Sequence, residues 1–366
     1  MTDEPRNAYQ PTSVTPPGST LADLLDERGI RQNELAVRMD VTPKFINELI
    51  AGKASISPTT ALSLERALEL PAGFWLARDA HYQAYRARLA EEAQLAEQRE
   101  WLKELPLKDM IYFGWIKKRD SGPERVAECL RYFGVASESA WREQYVNRVL
   151  GSAAYRMSAK VRQQQGAIAA WLRQGEIEAS RRECSAFSRD ALLSALQKAR
   201  ALTLESNPDR FIPALDSLFA ECGVVVAFVR APKGCPASGA VRWISPEKAL
   251  VQLSLRYKTN DSLWFTFFHE CAHILLHRKK LLFLEGAGMS GAEEEEANEL
   301  ARDTLVPSDQ WSNFRAGPLT EGYIRAFATA LGVHPGIVLG RLNKEKLVPW
   351  NKLTHLKVRY AWKDSD

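Results

Sequence analysis

The chain has 366 residues, which is long for a single compact core, so we expect two or three domains. Hydrophobic residues make up 45% of it and charged residues 26%, with a formal net charge of +4. These values are typical of an ordinary globular protein and exclude a disordered or polybasic chain. The overall charge indicates no particular class of partner.

Targeting signals and cysteine usage predict a cytoplasmic location. Residues 1–5 show neither the basic nor the apolar stretch of a secretory signal peptide. The longest apolar runs, such as residues 224–229, are much shorter than the roughly 18 residues that a membrane helix needs. The five cysteines form no Cys-x-x-Cys pair, which favours reduced thiols over a disulfide framework or a thiolate zinc cage.

Hydrophobic periodicity and helix-boundary residues divide the chain into five segments. Residues 1–18 have no apolar period and are expected to form a disordered arm. After it we predict a bundle of short helices at 19–83, a helical linker or middle region at 84–220, an α+β domain at 221–345 and a C-terminal tail at 346–366. The fold class expected is a mostly α, multi-domain protein whose α+β domain contains a short β-sheet.

Three strands are predicted at residues 224–229, 240–244 and 250–255, where the apolar period shortens. The second and third flank a turn at Ser245-Pro246. We hypothesise that the third strand pairs with an extended substrate through main-chain hydrogen bonds. Helical signals return after it.

A strongly apolar stretch over residues 264–277 contains the pattern His-Glu-x-x-His. His269 and His273 are four residues apart and share one helical face, so both imidazoles can reach one tetrahedral metal ion. Glu270 lies between them, where its carboxylate can address a water molecule on that metal. The pattern therefore predicts a zinc site, with Zn²⁺ as cofactor and Glu270 as catalytic base.

A third ligand is expected downstream, among the four glutamates at 293–296, because no further histidine follows at metzincin spacing. Glu294 is the preferred candidate: Asn298 follows one turn later and can accept the outer N–H of a ligand histidine. Glu296 is the alternative ligand. The remaining acids are assigned to the first turn of a helix, in a capping box with Ser290.

The other polar residues of this region receive weaker assignments. His277 lies about 6 Å beyond His273 on the same helical face, so we expect it to support or pack behind the ligands. Cys271 lies off the ligand face and is expected in the core. The group that stabilises the oxyanion stays open, with four candidates: Tyr257, His277, Arg256 and Tyr323.

Residues 30–52 fit two short helices around a tight turn, with a small core formed by Leu35, Ala36, Met39, Val41, Ile46 and Leu49. This pattern is typical of a helix-turn-helix DNA-binding domain. Its second helix is expected to direct four residues toward base edges: Thr42, Pro43, Lys44 and Asn47. Gln32 and Lys53 are expected to contact phosphates.

The alternative for this segment is a helical protein-interaction module. Residues 19–53 carry five basic and six acidic residues, so strong nonspecific DNA binding is not expected.

The helix-turn-helix segment resembles the HigA/VapI branch of the Xre-type helix-turn-helix proteins. The resemblance runs from Pro17-Gly18 through Phe74-Trp75-Leu76 and includes Ile50-Ala-Gly52-Lys53 and Ala61-Leu-x-Leu-Glu65. That branch contains transcriptional regulators and antitoxins. The resemblance implies binding to double-stranded operator DNA, which we expect a homodimer to perform.

From about Val224 onward the chain resembles the ImmA/IrrE metallopeptidase domain. The matching motifs are His269 to His273, then Glu294-x-x-Ala297-Asn298-Glu299-Leu300-Ala301, then Leu305-Val306-Pro307. Leu300 stands where that family usually has Phe, a tolerable core exchange. The resemblance implies a gluzincin-like fold, Glu294 as third ligand, and a regulatory protein, commonly a repressor, as the proteolytic target.

The function expected from the sequence is a HigA-like DNA-binding regulator whose zinc endopeptidase domain cleaves a regulatory protein. The alternative is a HigA-type antitoxin or repressor, partnered by a cognate toxin, whose zinc domain senses or binds a partner with little or no peptidase activity. A neighbouring gene for a short toxin would favour the alternative.

Overall fold

A computed structural model describes residues 14–150, 164–277, 282–284 and 291–362. The chain divides into two units, residues 1–97 and residues 98–366. Each unit encloses hydrophobic core of its own. Within the described ranges, no helix combines the length and the apolar character needed to cross a membrane.

The first unit consists of α1 (Pro17–Glu27), α2 (Gln32–Arg38), α3 (Pro43–Ile50), α4 (Pro58–Leu68) and α5 (Ala72–Glu97). Side-chain caps begin two of these helices. The hydroxyl of Thr42 accepts a hydrogen bond from Phe45 N at 3.2 Å, and that of Ser57 accepts one from Thr60 N at 3.1 Å. A proline follows each cap at the first helical position, where its missing N–H costs nothing.

The core of this unit is the one predicted for the two short helices, extended by residues of α1, α4 and α5. Leu35, Ile46, Leu64 and Trp75 are fully buried in it. A Cβ added to Gly18 would lie 2.1 Å from Leu49 O, so glycine permits the close approach of α1 to α3. These contacts fix α3 with its other face outward.

Both predicted boundaries of this unit shift. Most of the arm expected at residues 1–18 lies outside the described residues, but Pro17 and Gly18 belong to α1. The expected boundary at 83/84 falls inside α5, which continues to Glu97. The run rich in Ala, Glu, Gln and Arg there favours helix strongly, so nothing interrupts the helix at residue 83.

The second unit contains a four-stranded sheet formed by β1 (Val224–Phe228), β2 (Gly239–Ser245), β3 (Lys248–Leu253) and β4 (Leu282–Leu284). The strand order is β1-β3-β2-β4, with β1 parallel to β3 and the other pairs antiparallel. The three predicted strands are therefore present, within a residue or two of their expected bounds.

The expectation that β3 pairs with a substrate is wrong. β3 is an interior strand, since β1 and β2 already occupy its two sides. In chain order β3 is the last of the three predicted strands. In the sheet it is central, because β1 pairs with it in parallel on the side opposite β2. Among the described strands, the outer edges of the sheet belong to β1 and β4.

Both faces of the sheet are buried, which explains the continuous apolar run of β1. Val224 and Val226 face one core, and Val225 and Ala227 face the other. Along β2 the same alternation sends Val241 to the first core and Ala240 to the second. The sheet is thus the middle layer of three.

Helices on either side complete the layers. Before the sheet come a 3-10 helix (Gln98–Glu104), α6 (Leu107–Tyr112), α7 (Gly122–Phe133), α8 (Glu138–Trp141) continued by a π-helix (Arg142–Leu150), α9 (Gln165–Ser180), α10 (Arg189–Leu202) and α11 (Pro208–Ala220). After β3 come α12 (Asn260–Leu276), α13 (Ala292–Leu305), α14 (Ser308–Phe314), α15 (Glu321–Leu331), α16 (Pro335–Lys344) and a 3-10 helix (Thr354–Leu356). α12 carries the His-Glu-x-x-His pattern and is buried on nearly all sides by the sheet, α13 and α16.

The predicted middle region has no boundary with the sheet near residue 220. Helix α9 lies directly on the sheet, where Trp171 donates its indole N–H to Val229 O at 2.9 Å. Gln252 of β3 returns a hydrogen bond to Trp171 O at 2.7 Å. Residues 98–220 therefore belong to the same unit as the sheet, because its second face needs α9 as a cover.

The predicted C-terminal tail at 346–366 is likewise part of the unit up to residue 362. Leu356 and Tyr360 are buried in the main core. Lys357 forms a buried ion pair with Asp261 of α12 at 2.7 Å. Residues 346–366 mix nine apolar with seven charged residues, and no regular period indicated which apolar side chains hold the segment in place.

Replacing Lys357 with Ala should lower the free energy of unfolding of this unit by about 3 kcal/mol, because the buried Asp261 carboxylate loses its partner. Lys103→Ala is the control, since Lys103 pairs with Glu100 on the surface and should contribute under about 1 kcal/mol. Urea unfolding measures both. Equal effects would show that residue 357 is not part of the packed structure.

Candidate functional site

Helices α12 and α13 bring His269, His273 and Glu294 together. The two histidine Nε2 atoms lie 3.0 Å apart. Glu294 Oε2 lies 3.3 Å from His269 Nε2, and Oε1 lies 3.5 Å from His273 Nε2. Both histidines are buried, and the donor atoms of the three residues all lie within 4.8 Å of one another. The three residues predicted as metal ligands thus converge on one point.

The spacing of these three donors fits a tetrahedral zinc ion. With zinc–ligand bonds of about 2.0–2.1 Å, two ligand atoms at the tetrahedral angle are roughly 3.3 Å apart. The two nitrogens lie 3.0 Å apart, close to that value. His269 Nε2 lies 3.3 Å from Glu294 Oε2 and His273 Nε2 lies 3.5 Å from the other oxygen, Oε1, so each histidine faces a different oxygen of the carboxylate. Two imidazole nitrogens and one carboxylate oxygen form a donor set typical of catalytic zinc sites, in which the fourth position takes water or substrate.

The protonation states of the site also suit a cation. Burial raises the pKa of Glu294, but hydrogen bonds and charge from the two histidines outweigh it and lower the pKa to about 2. Burial lowers the pKa of His273; Glu294 opposes that shift, and the neighbouring His269 ring adds to it. Glu294 is therefore ionised and His273 neutral near pH 7, the forms in which both bind a metal.

A hydrogen-bonded chain supports His273 from outside. Its Nδ1 lies 3.1 Å from His277 Nδ1, and His277 Nε2 lies 3.0 Å from Glu296 Oε2. With the carboxylate as acceptor, His277 carries its proton on Nε2 and accepts a hydrogen bond from Nδ1–H of His273. The chain leaves Nε2 of His273 without a proton and directed at the other two donors.

This arrangement assigns three of the predicted residues. His277 is hydrogen-bonded to His273, one of the predicted ligands. Glu296, the alternative ligand, binds His277 instead. Asn298 does not hold the outer nitrogen of His273, and no described residue accepts a hydrogen bond from Nδ1 of His269. Asn298 was predicted for this role because it follows Glu294 by one turn of α13. The outer nitrogen of His273 instead points along its own helix toward His277.

Glu270 is fully buried beneath the first residue of β2. A Cβ added to Gly239 would lie 2.5 Å from Glu270 Oε1 and 2.5 Å from Thr266 Cγ2. Only glycine therefore lets the strand lie this close to the carboxylate. Sequence reasoning missed Gly239, although a glycine at the start of a strand is a known sign of close backbone approach.

Of the other residues singled out near this site, some lie on the surface and others in the core. Arg256 and Tyr257 are exposed on the loop between β3 and α12. Tyr323 is stacked on Phe314, with ring centroids 4.8 Å apart, which assigns it to packing. Cys271 is buried, and burial raises the pKa of its thiol well above the ordinary value. The expected capping residue Ser290 lies outside the described residues, and Gly291 precedes α13.

In the first unit, all six residues predicted to contact DNA are exposed: Gln32, Thr42, Pro43, Lys44, Asn47 and Lys53. Two of them also have partners within the helix. The Thr42 hydroxyl caps α3, and Lys44 lies 3.7 Å from Glu48. Lys44 nevertheless keeps 84% of its side chain exposed, so its ammonium group remains accessible to a phosphate or a base edge.

Comparison with known families gives one match, to a helix-turn-helix family model over residues 21–75. This match confirms the N-terminal helix-turn-helix prediction and supports a DNA-binding transcriptional regulator. The mostly helical, multi-domain architecture with a small sheet is also confirmed. A search of curated proteins found no match.

Purified protein should contain about one zinc ion per chain, and Glu294→Ala should lose most of it because one of three donors is gone. Glu296→Ala is the matched control and should keep the full content at saturating zinc. Elemental analysis after dialysis measures both. Retention in Glu294→Ala together with loss in Glu296→Ala would reverse the assignment of the third ligand.

Proposed function

We propose that the protein is a DNA-binding regulator whose second unit is a gluzincin-like zinc endopeptidase that cleaves a regulatory protein, such as a repressor. The observation that carries the proposal is the convergence of His269 and His273 of α12, the helix that also carries Glu270, with Glu294 of α13. A zinc ion held by these residues would polarise a peptide carbonyl and acidify a water molecule.

Glu270 moves the proton in this proposal. Its carboxylate accepts a proton from the attacking water as the water oxygen bonds to the scissile carbonyl carbon. It then delivers that proton to the amide nitrogen as the C–N bond breaks, so the amine leaves neutral. Burial of Glu270 and its contact with Gly239 keep the carboxylate in one position, which proton transfer requires.

A substrate strand would bind at the outer edge of β4 rather than at β3. β4 is hydrogen-bonded to β2, with Leu284 opposite Ala240, and β2 begins at the glycine that touches Glu270. Among the described strands, β4 ends the sheet on this side. Its main-chain groups are therefore suited to hold an extended peptide beside the carboxylate.

Glu270→Gln should retain zinc and lower cleavage of the target by roughly 10²–10⁴-fold, because the amide cannot accept the proton. The measurement is mass spectrometry of a proteome-derived peptide library digested with each protein. Glu299→Gln, an exposed acid on α13, is the control and should cleave like the unsubstituted protein. Undiminished turnover by the zinc-loaded Glu270→Gln protein would remove Glu270 from the mechanism.

Replacing both Lys44 and Asn47 with Ala should weaken binding to operator DNA by about 2–4 kcal/mol, since each residue is exposed at the start of α3. Fluorescence anisotropy on a duplex selected from a random-sequence library measures the loss. Lys103→Ala, a substitution in the second unit, is the control. Unchanged affinity would favour a protein-interaction module.

A further inference from the structure

The loop between β3 and α12 lines a pocket whose wall includes Thr266, a neighbour of Glu270 on the same helix. Thr266, one turn before Glu270, forms part of its wall, together with Ser238, which precedes Gly239. The methyl group of Thr266 and the carboxylate of Glu270 both lie 2.5 Å from the same point, the position of a Cβ on Gly239. Thr266 therefore belongs both to the pocket wall and to the surroundings of the buried carboxylate.

The chemistry of this pocket favours an anion. Arg256 and Lys258 provide two cations, and Ser238 and Ser262 add hydroxyl groups that can donate hydrogen bonds, Ser262 while accepting one from Thr259 at 3.2 Å. The residues that line the pocket, all within the described ranges, include no acid. A carboxylate entering the pocket would meet hydrogen-bond donors and positive charge without a competing negative group.

The backbone of the loop is held in an uncommon conformation. Leu255 and Lys258 have φ of +54° and +58°, in the left-handed region that residues with a side chain seldom adopt. The C-terminal segment fixes this geometry: Tyr360 donates its backbone N–H to Lys258 O at 2.8 Å, and Arg359 pairs with Thr259. Such local strain persists where surrounding structure maintains it, frequently at binding sites.

The same segment adds positive charge beside the pocket. Residues 341–362 contain six lysines and arginines against one glutamate, a net +5 in a chain whose total is +4. Lys357 is neutralised by Asp261, but Arg359 is exposed and lies across from Thr259 of the pocket. The approach to the pocket is therefore more basic than the protein as a whole.

We infer that this pocket binds the side-chain carboxylate of an acidic residue in the peptide substrate, close to the bond that is cleaved. The inference rests on the proposed peptidase function and names the class of substrate. The exposed Tyr257, which stacks with Arg256 at 5.6 Å, also allows contact with a nucleic acid. A peptide is favoured because hydroxyl groups line the pocket and Thr266 of its wall lies one turn before Glu270, the base of the proposed peptide cleavage.

The test uses two peptide hydroxamates that differ only in a glutamate or a glutamine beside the hydroxamate group, bound to zinc-loaded full-length protein. We expect the glutamate ligand to bind roughly ten-fold more tightly at low salt, because charge-assisted hydrogen bonds exceed neutral ones. The preference should fall below about two-fold in Arg256→Gln/Lys258→Gln and weaken with added salt. Isothermal titration calorimetry measures all four affinities.

Arg189→Gln/Lys198→Gln is the matched control, since it removes two exposed cations from α10 and should preserve the preference. Equal binding of both ligands to the unsubstituted protein would overturn the acidic-residue inference and leave the peptidase proposal standing. Failure of either ligand to bind would overturn both. Displacement of the glutamate ligand by single-stranded oligothymidine, lost in the Arg256→Gln/Lys258→Gln protein, would overturn the inference in favour of a nucleic-acid surface.

Discussion

The burial of polar side chains on α12 is the constraint on which the second unit depends. The helix lies between the sheet, α13 and α16, and His269, Glu270 and His273 are all inside. Polar groups removed from water are costly unless they find partners. Glu294 from α13 and the chain through His277 to Glu296 provide partners for the histidines. These buried polar partners support the proposed metal site.

The packing around α12 positions the polar residues of the candidate site and also stabilises the fold. Asn260, at the start of α12, accepts a hydrogen bond from Val358 N at 3.1 Å, and Asp261 binds Lys357, so the C-terminal segment holds the beginning of the helix. Further along α12, Thr266 and Glu270 lie under Gly239 of β2. His269 and His273, the proposed ligands, flank Glu270 on the same rigid helix. Sites built on helices and strands hold their geometry more closely than sites on loops.

Local features of the fold could be predicted from the sequence, whereas contacts between segments far apart in the chain could not. The spacing of His269 and His273, the core of the helix-turn-helix and the three long strands were all readable from periodicity. The parallel pairing of β1 with β3 was not, because register between distant strands leaves no local pattern. The cover provided by α9 and the packing of Leu356 and Tyr360 were missed for the same reason, because contacts between residues far apart in the chain leave no local pattern either. His277, and not Asn298, binds the outer nitrogen of His273. This choice of partner depends on the orientation of the His273 ring, which residue spacing does not specify.

X-ray absorption spectroscopy at the zinc edge of the purified protein tests most directly the proposal that His269, His273 and Glu294 hold zinc. We expect a first shell of nitrogen and oxygen at about 2.0–2.1 Å, with the outer-shell pattern of two imidazole rings. Sulfur at about 2.3 Å, or a protein that takes up no zinc at all, would contradict it.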